Sequence, residues 1–260
     1  MRNPFLSVAA AQVAPDFGNV EANVQIATDF LREAAGQEID LLVFPELSLI
    51  GYDLGQLDRP EVWITADDER LAPLRQVVVE TGIMTIVGGP YRDEDGVPRL
   101  SSFVLHPDGS REIVFKMHIP GDEQSHFIAG PYPPKILELN GWNVAVAICF
   151  DAANPQHAMA ARAEGADVYV DSALYVTSEI RRMDLHFASR AMDHRMFSLL
   201  ANHAETGPGW ESCGRSGTWG PDGEVRVTSG VEPRLVIDRL PYADLERYRL
   251  RPVHAGTSAD

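Results

Sequence analysis

Short apolar runs without a polar residue alternate along this chain with amphipathic segments, and no other feature restricts the fold as much. Leu41-Leu42-Val43-Phe44 and Val144-Ala145-Val146-Ala147-Ile148 are two such runs. Each is too short for a helix and apolar on both faces, as a strand covered on both sides must be. Between them lie helix-spaced patterns. From Asn19 to about Gln37, apolar residues fall at Val20, Val24, Ala27, Phe30, Leu31 and Ala34, the stripe of a helix with one buried face. The same reasoning predicts strands over 7–13, 39–44, 84–88, 168–171, 198–202 and 235–237, and helices over 67–80, 155–165 and 180–197. Antiparallel hairpins are expected at His106-Pro107-Asp108-Gly109, Asn140-Gly141 and Pro221-Asp222-Gly223. This mixture of βα units and hairpins predicts a layered α/β fold in one domain. A tail from about residue 241 is expected on the surface or against a partner subunit.

Composition limits the partners. The chain has 260 residues with 45% hydrophobic content, enough for a sizeable core. Its 22 basic and 38 acidic side chains give a formal charge of −16, which repels phosphate backbones and anionic lipid. No nucleic-acid or membrane partner is therefore expected. The apolar run 5–13 is too short to span a bilayer and lacks the layout of a secretory signal. Two cysteines, Cys149 and Cys213, make no disulfide framework and suit a reducing cytoplasm.

Three residues share one setting. Glu46 follows the run ending at Phe44, Lys116 ends Ile113-Val114-Phe115, and Cys149 ends Val144–Ile148. In α/β sheets, sites gather beyond the carboxyl ends of strands, so the three are candidates for one pocket. Their chemistry is complementary. A thiol attacks only as thiolate, a partly desolvated Glu46 can take its proton, and the Lys116 ammonium can hold an oxyanion. The backbone N–H of Phe150 is a second candidate oxyanion donor. Taken singly, a buried cysteine, a loop glutamate and a surface lysine are more often structural. A Cys–His scheme using His118, His126 or His203 is the competing arrangement. No pair of histidines has metal-ligand spacing with a third partner.

Phe44-Pro45-Glu46 with Gly51-Tyr52, Phe115-Lys116-Met117-His118 and Ala147-Ile148-Cys149-Phe150-Asp151 together resemble the three motifs of the nitrilase (carbon–nitrogen hydrolase) superfamily. The likeness extends through Ala22-Asn23, Arg190-Ala191, Ala201-Asn202 and Gly214-Arg215-Ser216 to nearly the whole chain. The resemblance implies a four-layer αββα sandwich, a homodimer joined through helices, and no metal or organic cofactor. It implies catalytic roles for Glu46, Lys116 and Cys149, and a second glutamate after the lysine, for which Glu123 matches best. Tyr52, His118, Phe150, Asp171 and Ala173 then fall at substrate-binding positions. Asp171 has two readings, a carboxylate facing a cationic substrate group or a capping residue at a strand end.

The implied activity is hydrolysis of a small linear amide through a thioester. A nitrilase, an N-carbamoyl-amine amidohydrolase, an acyl transferase and a non-catalytic binding protein are the alternatives. No arginine occurs in 150–156, where relatives that bind a substrate carboxylate often carry one, which disfavours N-carbamoyl amino acids and ω-amido acids as substrates.

Overall fold

The structure, a computed structural model, describes residues 2–250. Strand β1 (Phe5–Gln12) leads to Asn19, whose side chain accepts the Ala22 N–H and caps helix α1 (Val20–Ala35). The helix buries Val20, Val24, Ala27, Leu31 and Ala34, the stripe its spacing predicts. Strand β2 (Leu41–Val43) is shorter than the expected run, because the chain turns at Pro45, which has no N–H for a ladder. The expected helix over 67–80 divides into a 3-10 turn (Glu69–Leu71) and α2 (Ala72–Thr81). Pro73 is tolerated only in a helix's first turn, so the α-helix cannot begin earlier.

Strands β3 (Met84–Arg92), β4 (Pro98–Leu105) and β5 (Arg111–Phe115) follow as a meander. Next come β6 (Ile136–Leu139) and β7 (Trp142–Ile148), joined by Asn140 and Gly141 with φ of 53° and 80°. That pair of left-handed residues is what a two-residue hairpin turn requires. Helices α3 (Phe150–Ala153) and α4 (Pro155–Ala163) lead to β8 (Val168–Ala173), α5 (Ile180–His194) and β9 (Phe197–Asn202). Arg195 adopts φ 52°, ψ 52° and ends α5 before residue 197, releasing Phe197 into the strand. A small hairpin not foreseen from sequence, β10 (Thr206–Gly207) and β11 (Trp210–Glu211), precedes β12 (Gly217–Trp219) and β13 (Val225–Thr228). The chain closes with β14 (Arg234–Pro241) and α6 (Tyr242–Arg249).

Two six-stranded sheets result, ordered β14-β1-β2-β3-β4-β5 and β13-β12-β9-β8-β7-β6. Their facing sides bury Leu6, Leu41, Val43 and Ile86 against Val144, Val146, Val170 and Leu199. Each such side chain contributes about 1.5–3 kcal/mol. Helices α1 and α2 cover the outside of the first sheet, and α4 and α5 cover the second. This is the four-layer αββα sandwich that the motifs imply. Before the expected tail, β14 pairs with β1 along its full length; α6 then lies mostly at the surface and sends Leu245 into the inter-sheet core. The rest of the expected tail lies outside the described residues.

Direction decides where the chemistry gathers. β1, β2 and β3 run parallel; β4 reverses, and β5 reverses again, so β2 and β5 end at the same edge. β7, β8 and β9 are parallel in the other sheet. Among the described residues no helix is long and apolar enough to cross a membrane.

Candidate active site

Cys149 sits where β7 gives way to α3, with φ 50° and ψ −96°. A non-glycine residue at positive φ is strained, and the surroundings must hold it there. Its N–H donates to Asp171 Oδ1 at 2.6 Å and to the Ser172 carbonyl at 3.1 Å, both on the neighbouring strand β8. The Cys149 carbonyl accepts the Ala152 N–H at 3.0 Å and starts α3. Phe150 is then the first residue of that turn, where an N–H has no acceptor within the helix.

Glu46 is aimed by a second strained turn. Leu47, just after it, has φ 52°. The turn rests on Gly88 of β3: Leu49 N–H donates to the Gly88 carbonyl at 2.9 Å, and Ser48 N–H to the Pro45 carbonyl at 3.2 Å. A Cβ on Gly88 would lie 2.4 Å from the Pro45 oxygen and 2.6 Å from the Leu47 nitrogen. Both are backbone atoms, so the turn itself would have to move. Gly88→Ala is therefore expected to destabilise the fold by about 1–3 kcal/mol. It should also cut turnover ~100-fold by displacing Glu46. Thermal unfolding and steady-state kinetics on the purified variant check both.

Lys116, directly after β5, is completely buried and shares its ammonium between two carboxylates. Nζ donates to Glu46 Oε1 at 2.6 Å and to both Glu123 oxygens at 2.8 and 2.7 Å. Glu123 comes from a 3-10 turn (Gly121–Ser125) and also accepts the Tyr52 hydroxyl at 2.6 Å. Tyr52, expected to bind substrate, therefore anchors this carboxylate. Burial pushes Glu46 up to about 7, opposed by the Lys116 charge and reinforced by Glu123. Burial alone would lower Lys116, but the charges of Glu46, Cys149 and Glu123 outweigh it and hold the ammonium above its ordinary value. Burial also drives the Cys149 thiol well above the usual thiol range; Glu46 adds to this and Lys116 opposes it. Among the described residues, buried Glu46 Oε2 has no conventional hydrogen-bond partner, while the Cys149 thiol lies close enough to favour the charged carboxylate.

The remaining sequence candidates divide. Phe150 stays half-buried beside Cys149. Asp171, completely buried, spends Oδ1 on the Cys149 amide, which favours the capping reading over the cation-facing one. Ala173 is also completely buried and packs between the second sheet and its helices. His118 Nδ1–H donates to Asp151 Oδ1 at 2.8 Å, so this ring is tied to the scaffold. His203 Nε2–H donates to the Glu46 carbonyl at 2.7 Å. Neither arrangement favours a Cys–His pair. Cys213 is buried, pushed up to about 11 by desolvation, and packs near Met183.

Asp151 is the residue whose part was missed. Its buried carboxylate accepts the N–H groups of Met117 at 3.1 Å, His118 at 2.9 Å and Ile148 at 3.1 Å. It thereby clamps the segment after Lys116 to the turn that carries Cys149. The only trace in the sequence is its place two residues after the cysteine. Among the described residues no group of three or more His, Cys, Asp and Glu side chains could hold a metal ion.

A two-sheet αββα sandwich that brings a thiol, a buried carboxylate and a buried ammonium to one edge defines an enzyme framework. The chain belongs to the carbon–nitrogen hydrolase family, whose sequence profile matches residues 7–250. It is a carbon–nitrogen hydrolase of the nitrilase superfamily. A protein of Pseudomonas protegens named "Hydrolase in pqqF 5'region" is 28% identical over 90% of this chain and 82% of its own length. A protein of Pyrococcus abyssi named "Nitrilase" is 28% identical over 95% and 92%. Among solved structures, a variant of the amidase from Nesterenkonia AN1 superposes with TM-score 0.84 at 25% identity, covering 96% of each chain.

Proposed function

We propose that this enzyme hydrolyses a small linear amide through a thioester on Cys149. The observation that carries this reading is the fully buried Lys116 ammonium held between Glu46 and Glu123, with a strained, half-buried Cys149 next to the cluster. Similarity to a solved amidase supports the choice of amide as substrate class.

At rest the thiol keeps its proton, because its own affinity is pushed well above the usual range. Glu46, with its value near 7, is an available acceptor. As the sulfur attacks the amide carbon, the S–H proton passes to Glu46 and the carbon–oxygen double bond becomes an oxyanion. Lys116 can offer one N–H to that oxygen by giving up one of its two Glu123 contacts. The Phe150 N–H is the second donor. Collapse of the intermediate breaks the carbon–nitrogen bond, and the amine leaves with the proton from Glu46. Glu46 then takes a proton from water as its oxygen adds to the thioester. The second collapse expels the thiolate, which recovers the proton. Tyr52 keeps Glu123 on Lys116, and Asp171 keeps Cys149 in its turn.

The test is release of ammonia or amine from a panel of aliphatic amides, carbamoyl amines and nitriles. Intact-mass measurement of the quenched enzyme accompanies it. Turnover of amides with an acyl adduct on Cys149 is expected. Turnover of nitriles alone would overturn the amide assignment, and the relative named as a nitrilase is the reason to include them.

A further inference from the structure

His203 and Glu205 form a buried ionisable pair behind Glu46. His203 directly follows β9, at the edge where the reacting groups gather, and is completely buried. Its Nε2–H reaches the Glu46 carbonyl at 2.7 Å. Its Nδ1 lies 3.1 Å from Glu205 Oε1, on a side chain only 7% exposed. Among the described residues, Nδ1 and both Glu205 oxygens have no hydrogen-bond partner, so this close approach, a charge contact without hydrogen-bond geometry, is the polar contact the pair has. The His203 backbone is itself secured: its carbonyl accepts the Ser212 hydroxyl at 2.6 Å, and the next N–H, of Ala204, donates to Val13 at 2.8 Å.

The position of this hydrogen bond matters more than its strength. The Glu46 carbonyl belongs to the peptide that joins Glu46 to Leu47, and Leu47 is the residue with φ 52°. Such a backbone persists only where its neighbours over-determine it. Gly88 restrains that peptide by close approach, and His203 restrains it by a directed hydrogen bond. A rigid, fully buried ring with a carboxylate 3.1 Å from its other nitrogen sets a donor direction better than a flexible chain would.

We propose that His203, oriented by Glu205, is a positioning residue that sets the direction of the Glu46 side chain through its backbone. The inference rests on Glu46 acting as the base. His203→Ala, His203→Gln, Glu205→Gln and, as a reference, Glu46→Gln are assayed with the best amide of the panel. Values of kcat, KM and Tm and the pH profile are recorded for each. The titratable groups around the Glu46 carboxylate, Lys116, Glu123, Cys149, Tyr52 and Asp171, are unchanged in the first three variants.

His203→Ala is expected to lower kcat ~10–100-fold with little change in KM, and to move the acid limb of the profile. His203→Gln, which keeps a donor, should recover most of kcat, and Glu205→Gln should fall between. If His203→Ala lowers Tm but leaves kcat and the acid limb unchanged, the positioning role is overturned. Equal impairment in the alanine and glutamine variants overturns it too. Should His203→Ala not fold, Glu205→Gln decides: wild-type kcat and acid limb overturn the proposal, and a reduced kcat with a moved limb supports it. If Glu46→Gln keeps full turnover, the assignment of the base fails. If Glu46→Gln is inactive while the His203 variants are normal, only the positioning role fails.

Discussion

Lys116→Met is expected to destabilise the folded chain by about 3–5 kcal/mol and to leave no measurable turnover. Methionine approximates the shape of the lysine stem but brings no charge. The variant leaves Glu46 and Glu123 buried near one another without the ammonium that contacts three of their four oxygens. Tyr52 would remain as a donor to Glu123 only. Removing one partner of a buried ion pair is costly because the charges left behind have lost both water and counter-ion. Each carboxylate can escape by taking up a proton, so the loss should grow with pH between 5 and 8. Urea unfolding across that range measures it. The double variant Lys116→Met/Glu123→Gln should regain part of the stability and none of the turnover. A single variant with the wild-type midpoint would show that the carboxylates do not depend on Lys116 for their charge.

Glu46→Gln should reduce kcat/KM by about 10²–10⁴-fold, the usual worth of a positioned base. It should also slow alkylation of Cys149 by a neutral reagent. The side chain keeps its size, and its amide oxygen can still accept from Lys116, so the fold should survive. In the wild type the base must be unprotonated to work. With Glu46 at about 7, kcat/KM should fall as the pH drops below 7, and that limb should vanish in the variant. The shift also has a sign in stability. The folded value lies above the ordinary 4.5, so between 4.5 and 7 the folded chain holds this proton more firmly than the unfolded chain does. The stabilisation is complete below about 4.5 and is lost as the pH rises through 7. Kinetics that are flat from pH 5 to 8 in the wild type would remove Glu46 from the role of base.

What could be read in advance was what rests on local pattern. Apolar runs covered on both faces announce themselves as strands, which is why Glu46, Lys116 and Cys149 stood out as polar residues placed where such runs end. Motif likeness brought Glu123 to Lys116, whose ammonium donates to both of its carboxylate oxygens. The partners of Tyr52 and Asp171 could not be read in advance because they are distant: Tyr52 reaches Glu123 across 71 residues, and Asp171 reaches the Cys149 amide across 22. Nothing near either residue in the chain signals those bonds. His203, 157 residues from Glu46, is the extreme case. Helix α6 was missed because its single core residue, Leu245, leaves no periodic stripe to read.

By itself, then, the sequence determined the layered α/β fold and marked Glu46, Lys116 and Cys149 as candidates for one site, since periodicity, strand-end placement and motif likeness are read along the chain. Only the tertiary structure decided how that site is held. The left-handed turns at Leu47 and Cys149, and the Asp151, Asp171 and His203 bonds around them, arise from side chains meeting backbone across strands. No local propensity specifies a strained conformation. It exists here because two sheets packed face to face bring the restraining groups within hydrogen-bond reach.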